Sequence, residues 1–177
     1  MPGIGPAAHE AMKPLLCILL ALLTVPFLLG ETYIGRCVGV SDGDTISVMH
    51  NGRANKIRLE GIDCPELGQD FGMRAKQFTS AMVFGNDVEI REYNLDRYGR
   101  TVARVLVDGK DLSLELVKAG LAWHYRQYSS DRVLAQAQIE ARLAKRGLWS
   151  MPDPVPPWVY RRNQRKAPHP PGMTPFE

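Results

Sequence analysis

Residues 37–59 read CVGVSDGDTISVMHNGRANKIRL, and this stretch decides the fold. Apolar and polar residues alternate in three short runs, at 37–40, 45–49 and 56–59. An Asp-Gly pair separates the first two runs and an Asn-Gly pair separates the last two. Because both pairs favour tight hairpin turns, the stretch predicts a three-stranded antiparallel meander.

Downstream of the meander, helical patterns and strand patterns follow one another. Residues 72–84 place Ala75, Phe78 and Met82 on one face, which predicts an amphipathic helix. Further strands are predicted at 88–93 and 101–107, and further helices at 112–119 and 131–146. Five strands with a helix after the third predict an α+β, mainly β fold, a five-stranded Greek-key barrel of the OB type with about three helices.

Length and composition fit a single domain, predicted at 31–150. The chain has 177 residues, of which 45% are hydrophobic, enough for one ordinary core. A net charge of +3 is compatible with a nucleic-acid partner but does not require one. Residues 151–177 hold eight of the 13 prolines and predict an extended basic tail. Residues 161–166 of this tail either contact phosphate or only aid solubility, and Pro156-Pro157-Trp158 is a candidate docking segment.

The first thirty residues have the composition of a targeting segment. Lys13 precedes an uncharged apolar run at 15–29, shorter than the about 20 residues that span a membrane. This pattern favours a signal peptide over 1–30, and therefore a secreted or periplasmic protein. An uncleaved membrane anchor and a buried helix are the alternatives. Without this segment two cysteines remain, Cys37 and Cys64, as a disulfide or as two buried thiols.

Three acidic side chains are candidates for chemistry at turns and strand ends. Asp44 lies just past the first hairpin turn, Asp63 lies at a strand end, and Glu66 follows Pro65. Their carboxylate oxygens suit a hard cation such as Ca²⁺. Glu66 is the candidate general base, which would take a proton from an attacking water. Asp-Gly is also a common turn former, so ordinary loop carboxylates are the alternative.

Two arginines are candidates for phosphate binding. Arg58 lies on the third predicted strand, and Arg100 ends the loop at 96–100. A guanidinium group matches two phosphate oxygens and stays charged at any working pH. Two such groups around one phosphorus would stabilise the additional negative charge of a five-coordinate transition state. Two unrelated surface arginines are the alternative.

Together, these motifs resemble the signature segments of the staphylococcal nuclease (thermonuclease) family. The resemblance rests on residues 41–45, 57–66 and 96–100, and it continues through 114–122 to 147–149. It spans the chain from about residue 33 to residue 150. The combination of segments in this order is specific, although each is short.

The resemblance implies a calcium-dependent endo- or exonuclease that cuts DNA and RNA with little sequence specificity and leaves 3′-phosphates. It implies that Asp44, Asp63 and the backbone carbonyl of Cys64 hold the ion. The catalytic residues would then be Arg58, Glu66 and Arg100.

Substrate binding is assigned to Arg97, Tyr98 and Tyr125. Arg97 and Tyr98 match the family loop that meets the terminal phosphate, and Tyr125 offers a stacking face for a base. A place in the core is the alternative for Tyr125. Two other functions compete with a nuclease: a catalytically silent OB-fold module that binds nucleic acid, and a structural protein tethered to a membrane. No protein partner is implied, and we expect a monomer.

Overall fold

The structure is a computed structural model and describes residues 30–166. The strands in this range are β1 (Thr32–Asp42), β2 (Thr45–His50), β3 (Arg53–Leu59), β4 (Ile62–Asp63), β5 (Asp87–Leu95), β6 (Thr101–Val107), β7 (Lys110–Asp111) and β8 (Trp123–His124). The helices are α1 (Gly72–Val83), α2 (Leu112–Lys118), α3 (Arg132–Leu143) and α4 (Pro157–Lys166), with a 3₁₀ helix at Gly147–Ser150. The predicted signal segment lies outside the described residues, apart from its last position.

Five of the strands close into a barrel. Their order is β3-β2-β1-β5-β6, and β3 also pairs in parallel with β6, which joins the two ends of the sheet. Strand β5 pairs with β1 and not with β3, as a Greek-key connection requires. The side chains that point into the barrel include Ile46, Val48, Ile57 and Leu59, all of them buried. The predicted OB-type barrel and the α+β fold class are therefore confirmed.

The meander has both of the predicted tight turns. Asp42 pairs with Thr45 across the first turn, and His50 pairs with Arg53 across the second. Asn51 and Gly52, at the second turn, have positive φ angles of 50° and 74°. This conformation suits the right-handed twist of a hairpin, and it explains why an Asn-Gly pair stands there.

The first three helices match the predictions to within one residue at each end, except at the end of α3. Helix α3 begins after Asp131, whose carboxylate accepts the backbone N–H groups of Val133 and Leu134. It ends at Leu143, three residues before the predicted end at residue 146, and Lys145 has a positive φ of 49°. The left-handed residue therefore comes before Gly147 and stops the helix early.

The predicted extended tail is wrong for residues 157–166, which form α4. Proline suits the first position of a helix, where its missing N–H is not needed, and Pro157 holds that position. The Trp158 ring stacks on Tyr125, with ring centres 5.1 Å apart, and meets the edge of Trp123 at 5.6 Å. Trp158 therefore docks on the barrel domain. Residues 167–177 lie outside the described part of the chain.

The two cysteines are free thiols in this structure, and both are buried. Cys37 lies on β1 and Cys64 directly follows β4. Of the two alternatives that the sequence left open, the structure has the pair of buried thiols. Within residues 30–166, no helix is long and apolar enough to cross a membrane.

Candidate active site

The candidate site lies where the first hairpin turn, β3 and the end of β4 meet. Thr45, next to Asp44, pairs with Arg58 across β2 and β3. Asp63 is on β4, which pairs with β8. The barrel thus brings three predicted site residues together from separate parts of the chain.

Arg58 bridges two buried carboxylates. Its Nη1 pairs with Asp44 Oδ1, and its Nη2 lies 2.9 Å from Asp63 Oδ1. The Nη2 group also donates to the backbone carbonyl of Ile62 at 3.2 Å. Charge-assisted hydrogen bonds of this kind fix the position of the guanidinium group and of both carboxylates.

The backbone around Cys64 holds Asp44 from the other side. The N–H of Cys64 donates to Asp44 Oδ2 at 2.6 Å. Burial raises the pKa of the Cys64 thiol, so this side chain stays neutral and only its backbone is suited to a metal. A β-carbon at Gly43 would lie 2.8 Å from the Cys64 sulfur and 2.7 Å from the Ala75 β-carbon. Glycine at this turn therefore permits the close approach that places Asp44 beside Cys64.

Arg161 of α4, predicted only as part of a tail that contacts phosphate or aids solubility, contacts the carboxylates of the site. Its Nη2 lies 2.8 Å from Asp63 Oδ2, and its Nη1 lies 3.2 Å from Asp63 Oδ1 and 2.7 Å from Glu66 Oε1. Burial alone would lower the pKa of Arg161, but the hydrogen bonds to Asp63 and Glu66 raise it. Arg161 is therefore charged, and it joins the two carboxylates, sharing Asp63 Oδ1 with Arg58 and contacting Asp63 Oδ2 as well.

A signal for Arg161 was present in the sequence. Pro157 marks a helix start, and Trp158 and Arg161 are three residues apart, which places them on one helical face. The high proline content of the segment favoured an extended chain and concealed this pattern.

The loop between β5 and β6 brings Arg100 to the same region. The Asp96 carboxylate accepts the backbone N–H groups of Tyr98 at 2.8 Å and Arg100 at 3.0 Å, and the Arg100 Nε at 2.7 Å. Burial alone would raise the pKa of Asp96, but these hydrogen bonds lower it. Arg100 Nη1 lies 3.4 Å from Thr45 Oγ1, which is itself 3.4 Å from Asp44 Oδ1. Asp96 thus orients Arg100 towards the carboxylates.

Two of the three predicted substrate-binding residues, Arg97 and Tyr125, line one cleft, and Tyr98 contacts Arg97 and Arg100. Tyr98 is exposed, and its ring faces the guanidinium groups of Arg97 at 4.8 Å and Arg100 at 5.6 Å. Tyr125 is half-buried, and burial and the nearby Asp63 charge raise its pKa. Arg97 and Tyr125 line one cleft of about 440 Å³ together with α4.

The predicted metal ligands fit a hard cation by their chemistry. Asp44, Asp63 and the Cys64 carbonyl supply only oxygen atoms, which Ca²⁺ prefers and which water can complete. The side chains of Asp44 and Asp63 already share one cationic partner, Arg58. No three His, Cys, Asp or Glu side chains converge on one point within residues 30–166. The protein therefore offers two carboxylates here, those of Asp44 and Asp63, and Arg161 links Glu66 to Asp63.

Comparison with known proteins adds an independent observation. Residues 56–151 match the family model described as staphylococcal nuclease homologue. The chain is 42% identical over 154 residues to an uncharacterized endonuclease of Escherichia coli O157:H7, an alignment that covers 86% of this chain and 100% of that protein. It is 33% identical over 172 residues to a micrococcal nuclease of Shigella flexneri, covering 91% of this chain and 98% of the other.

Proposed function

Because this chain belongs to the staphylococcal nuclease family, we propose that it is a calcium-dependent nuclease that hydrolyses phosphodiester bonds of DNA and RNA. One observation carries the proposal: Arg58 joins Asp44 to Asp63, and Arg161 joins Asp63 to Glu66. Arg100 reaches Asp44 of this group through Thr45. Carboxylates beside two guanidinium groups are suited to binding a phosphodiester and stabilising its transition state.

In the proposed reaction, water attacks phosphorus on the side opposite the leaving oxygen. The Glu66 carboxylate takes the proton of this water as the new oxygen–phosphorus bond forms. The bond from phosphorus to the 5′ oxygen breaks, and that oxygen acquires a proton from solvent. The products are a 3′-phosphate and a 5′-hydroxyl. Arg161 is the group that keeps the Glu66 carboxylate in place, at 2.7 Å.

Arg58 and Arg100 have the electrostatic role. Negative charge accumulates on the phosphoryl oxygens in the transition state, and guanidinium groups that are already positioned stabilise it without reorganisation. Asp44 and Asp63 position Arg58, and Asp96 positions Arg100. Calcium, held by Asp44, Asp63 and the Cys64 carbonyl, would supply further positive charge at the same oxygens.

The proposed substrates are both nucleic acids, with little sequence specificity. The charged groups of the site are suited to phosphates, and phosphate contacts carry no base information. Arg97 and Tyr98 are proposed to hold a neighbouring phosphate, and Tyr125 to stack on a base. We also propose that the enzyme is monomeric and exported, the latter on the apolar run at 15–29 behind Lys13.

The first experiment incubates the purified protein with single-stranded DNA and with RNA, in calcium and in chelator, and identifies product ends by mass spectrometry. We expect calcium-dependent cleavage that leaves 3′-phosphates. Glu66→Gln is expected to slow cleavage by about 10²-fold or more. Glu115→Gln is the matched control, because Glu115 pairs with Lys118 on α2 and touches none of the site residues. Binding without cleavage would favour the silent OB-fold module instead.

A further inference from the structure

We propose that helix α4 is the second wall of the substrate cleft, and that Arg162, Arg165 and Lys166 bind the backbone phosphates of a single nucleic-acid strand beside the scissile phosphate. This inference rests on the proposed function, because it extends the same site. The residues matched by the family model end at 151, before α4 begins.

Helix α4 is fixed to the barrel at several points. Arg161 contacts Asp63 and Glu66. Trp158 stacks on Tyr125, and the Tyr160 hydroxyl lies 3.3 Å from the Gly68 carbonyl oxygen. These contacts give the helix one position next to the catalytic carboxylates. Charges on its outer surface therefore have a defined place relative to the scissile bond.

The exposed surface of α4 is cationic. Arg162, Arg165 and Lys166 are exposed, and no carboxylate within residues 30–166 forms an ion pair with them. Arg165 and Lys166 lie three and four residues after Arg162, so each of these two side chains is a neighbour of Arg162 on the helix. Like charges at this spacing destabilise a helix in isolation, and a bound polyanion would remove that cost.

The shape of the cleft favours a nucleic-acid strand over other anions. These three residues line the cleft of about 440 Å³ together with Arg97 from the β5–β6 loop and the ring of Tyr125. Cations on both sides and an aromatic ring suit a strand whose phosphates and bases both need partners. A flat anionic surface such as a membrane would not reach into a cleft that leads through Arg161 to Glu66.

The test measures binding of a fluorescein-labelled oligothymidylate by anisotropy, in chelator, at several salt concentrations, with the strand checked for integrity on a gel. Each phosphate contact contributes about 0.7 to the slope of log Kd against log salt for single strands. Removing three contacts with Arg162→Ala/Arg165→Ala/Lys166→Ala should therefore lower that slope by about 2. If the wild type and the triple variant have the same Kd at 1 M salt, this difference in slope corresponds to an affinity about 10²-fold lower for the variant at 0.1 M salt. Alanine is the best helix former, so α4 is expected to stay folded in this variant.

The matched control is Arg53→Ala/Lys110→Ala/Arg132→Ala, which removes the same charge from exposed positions that do not line the cleft. We expect it to keep the wild-type slope and a Kd within about threefold of wild type. An α4 variant with an unchanged slope would overturn the proposal. So would equal losses in the two variants, because net charge alone would then explain binding.

The outcome is separable from that of the proposed function. Cleavage by the wild type with an unchanged slope in the α4 variant would reject this inference alone. Binding through α4 without cleavage would reject the nuclease and keep the inference. A third arm uses sedimentation with vesicles of phosphatidylcholine and phosphatidylglycerol. If the α4 variant lost vesicle binding but kept oligothymidylate binding, the partner of α4 would be a membrane surface and not a nucleic-acid strand.

Discussion

Replacing Arg58 by methionine is expected to lower the free energy of unfolding by about 3 kcal/mol. The Arg58 side chain is only 14% exposed, and its partners Asp44 and Asp63 are 7% and 1% exposed. Methionine keeps much of the length but not the charge, so both carboxylates lose their common partner. Removing one member of a buried ion pair costs about 3–5 kcal/mol, because the remaining charge stays buried. Arg161 still contacts Asp63, so we expect the lower end of this range.

Arg104→Met is the matched control for this change. Arg104 also bridges two aspartates, Asp111 and Asp131, both at 3.1 Å. Its side chain is 32% exposed, and those of its partners are 18% and 23% exposed. Water can therefore replace much of the lost interaction, and we expect a loss of about 1 kcal/mol or less. The difference of about 2 kcal/mol between the two variants measures the effect of burial.

Urea unfolding in chelator, followed by tryptophan fluorescence, gives both free energies by linear extrapolation. A loss of stability in Arg58→Met no larger than that in Arg104→Met would refute the expected effect of burial. Calcium provides a second measurement. If Asp44 and Asp63 hold the ion, calcium at 100 times its Kd should raise the free energy of unfolding of Arg58→Met by about 2.7 kcal/mol. In a variant that also carries Asp44→Asn, the same calcium concentration should add less than about 1.4 kcal/mol, because the site then binds calcium more than tenfold more weakly.

Three further predictions concern the proposed site. Arg100→Ala is expected to lower kcat on single-stranded DNA by about 10²–10³-fold with an unchanged circular dichroism spectrum, and turnover within threefold of wild type would contradict its role. Asp44→Ala should raise the calcium concentration for half-maximal activity by more than about tenfold, whereas an unchanged calcium titration would remove Asp44 from the metal site. The lowered pKa of Asp96 stabilises the fold above the ordinary carboxyl pKa of 3.8, and this contribution is lost as the pH falls through the lowered value. The stability gap between wild type and Asp96→Asn should therefore shrink from about pH 5 to pH 3 in urea titrations, and a gap that is constant with pH would count against the ionic contacts of Asp96.

The barrel was predictable because its signals are local. The turn at Asn51-Gly52 depends only on its own two residues. In residues 101–107, the alternation of apolar and polar side chains indicates a strand with one buried face, and seven residues are enough to show it. The strand observed there has the predicted bounds, Thr101–Val107. Helix α4 was not predictable on the same basis. Its residues include a proline and many cations, and it is stabilised by contacts of Trp158 and Arg161 with distant parts of the chain.

The candidate site was predictable in its residue types but not in its pairing. Asp44, Arg58 and Asp63 were all named from motifs, yet the motifs do not say that one guanidinium group bridges both carboxylates. Glu66 was named as a base, and its partner Arg161 lies 95 positions later in the chain. A sequence pattern reports the periodicity of one element and not which element lies opposite it.

By itself, the sequence determined the five barrel strands, their hairpin turns, the first three helices and the chemical groups available to the site, since each of these depends on residues close together in the chain. Only the tertiary structure decided which of those groups contact one another. The parallel pairing of β3 with β6 brings the loop of Arg100 next to Thr45 and Arg58. Docking of α4 places Arg161 on Asp63, 98 residues away. Such contacts depend on closure of the barrel and on packing between distant segments, which no local pattern encodes.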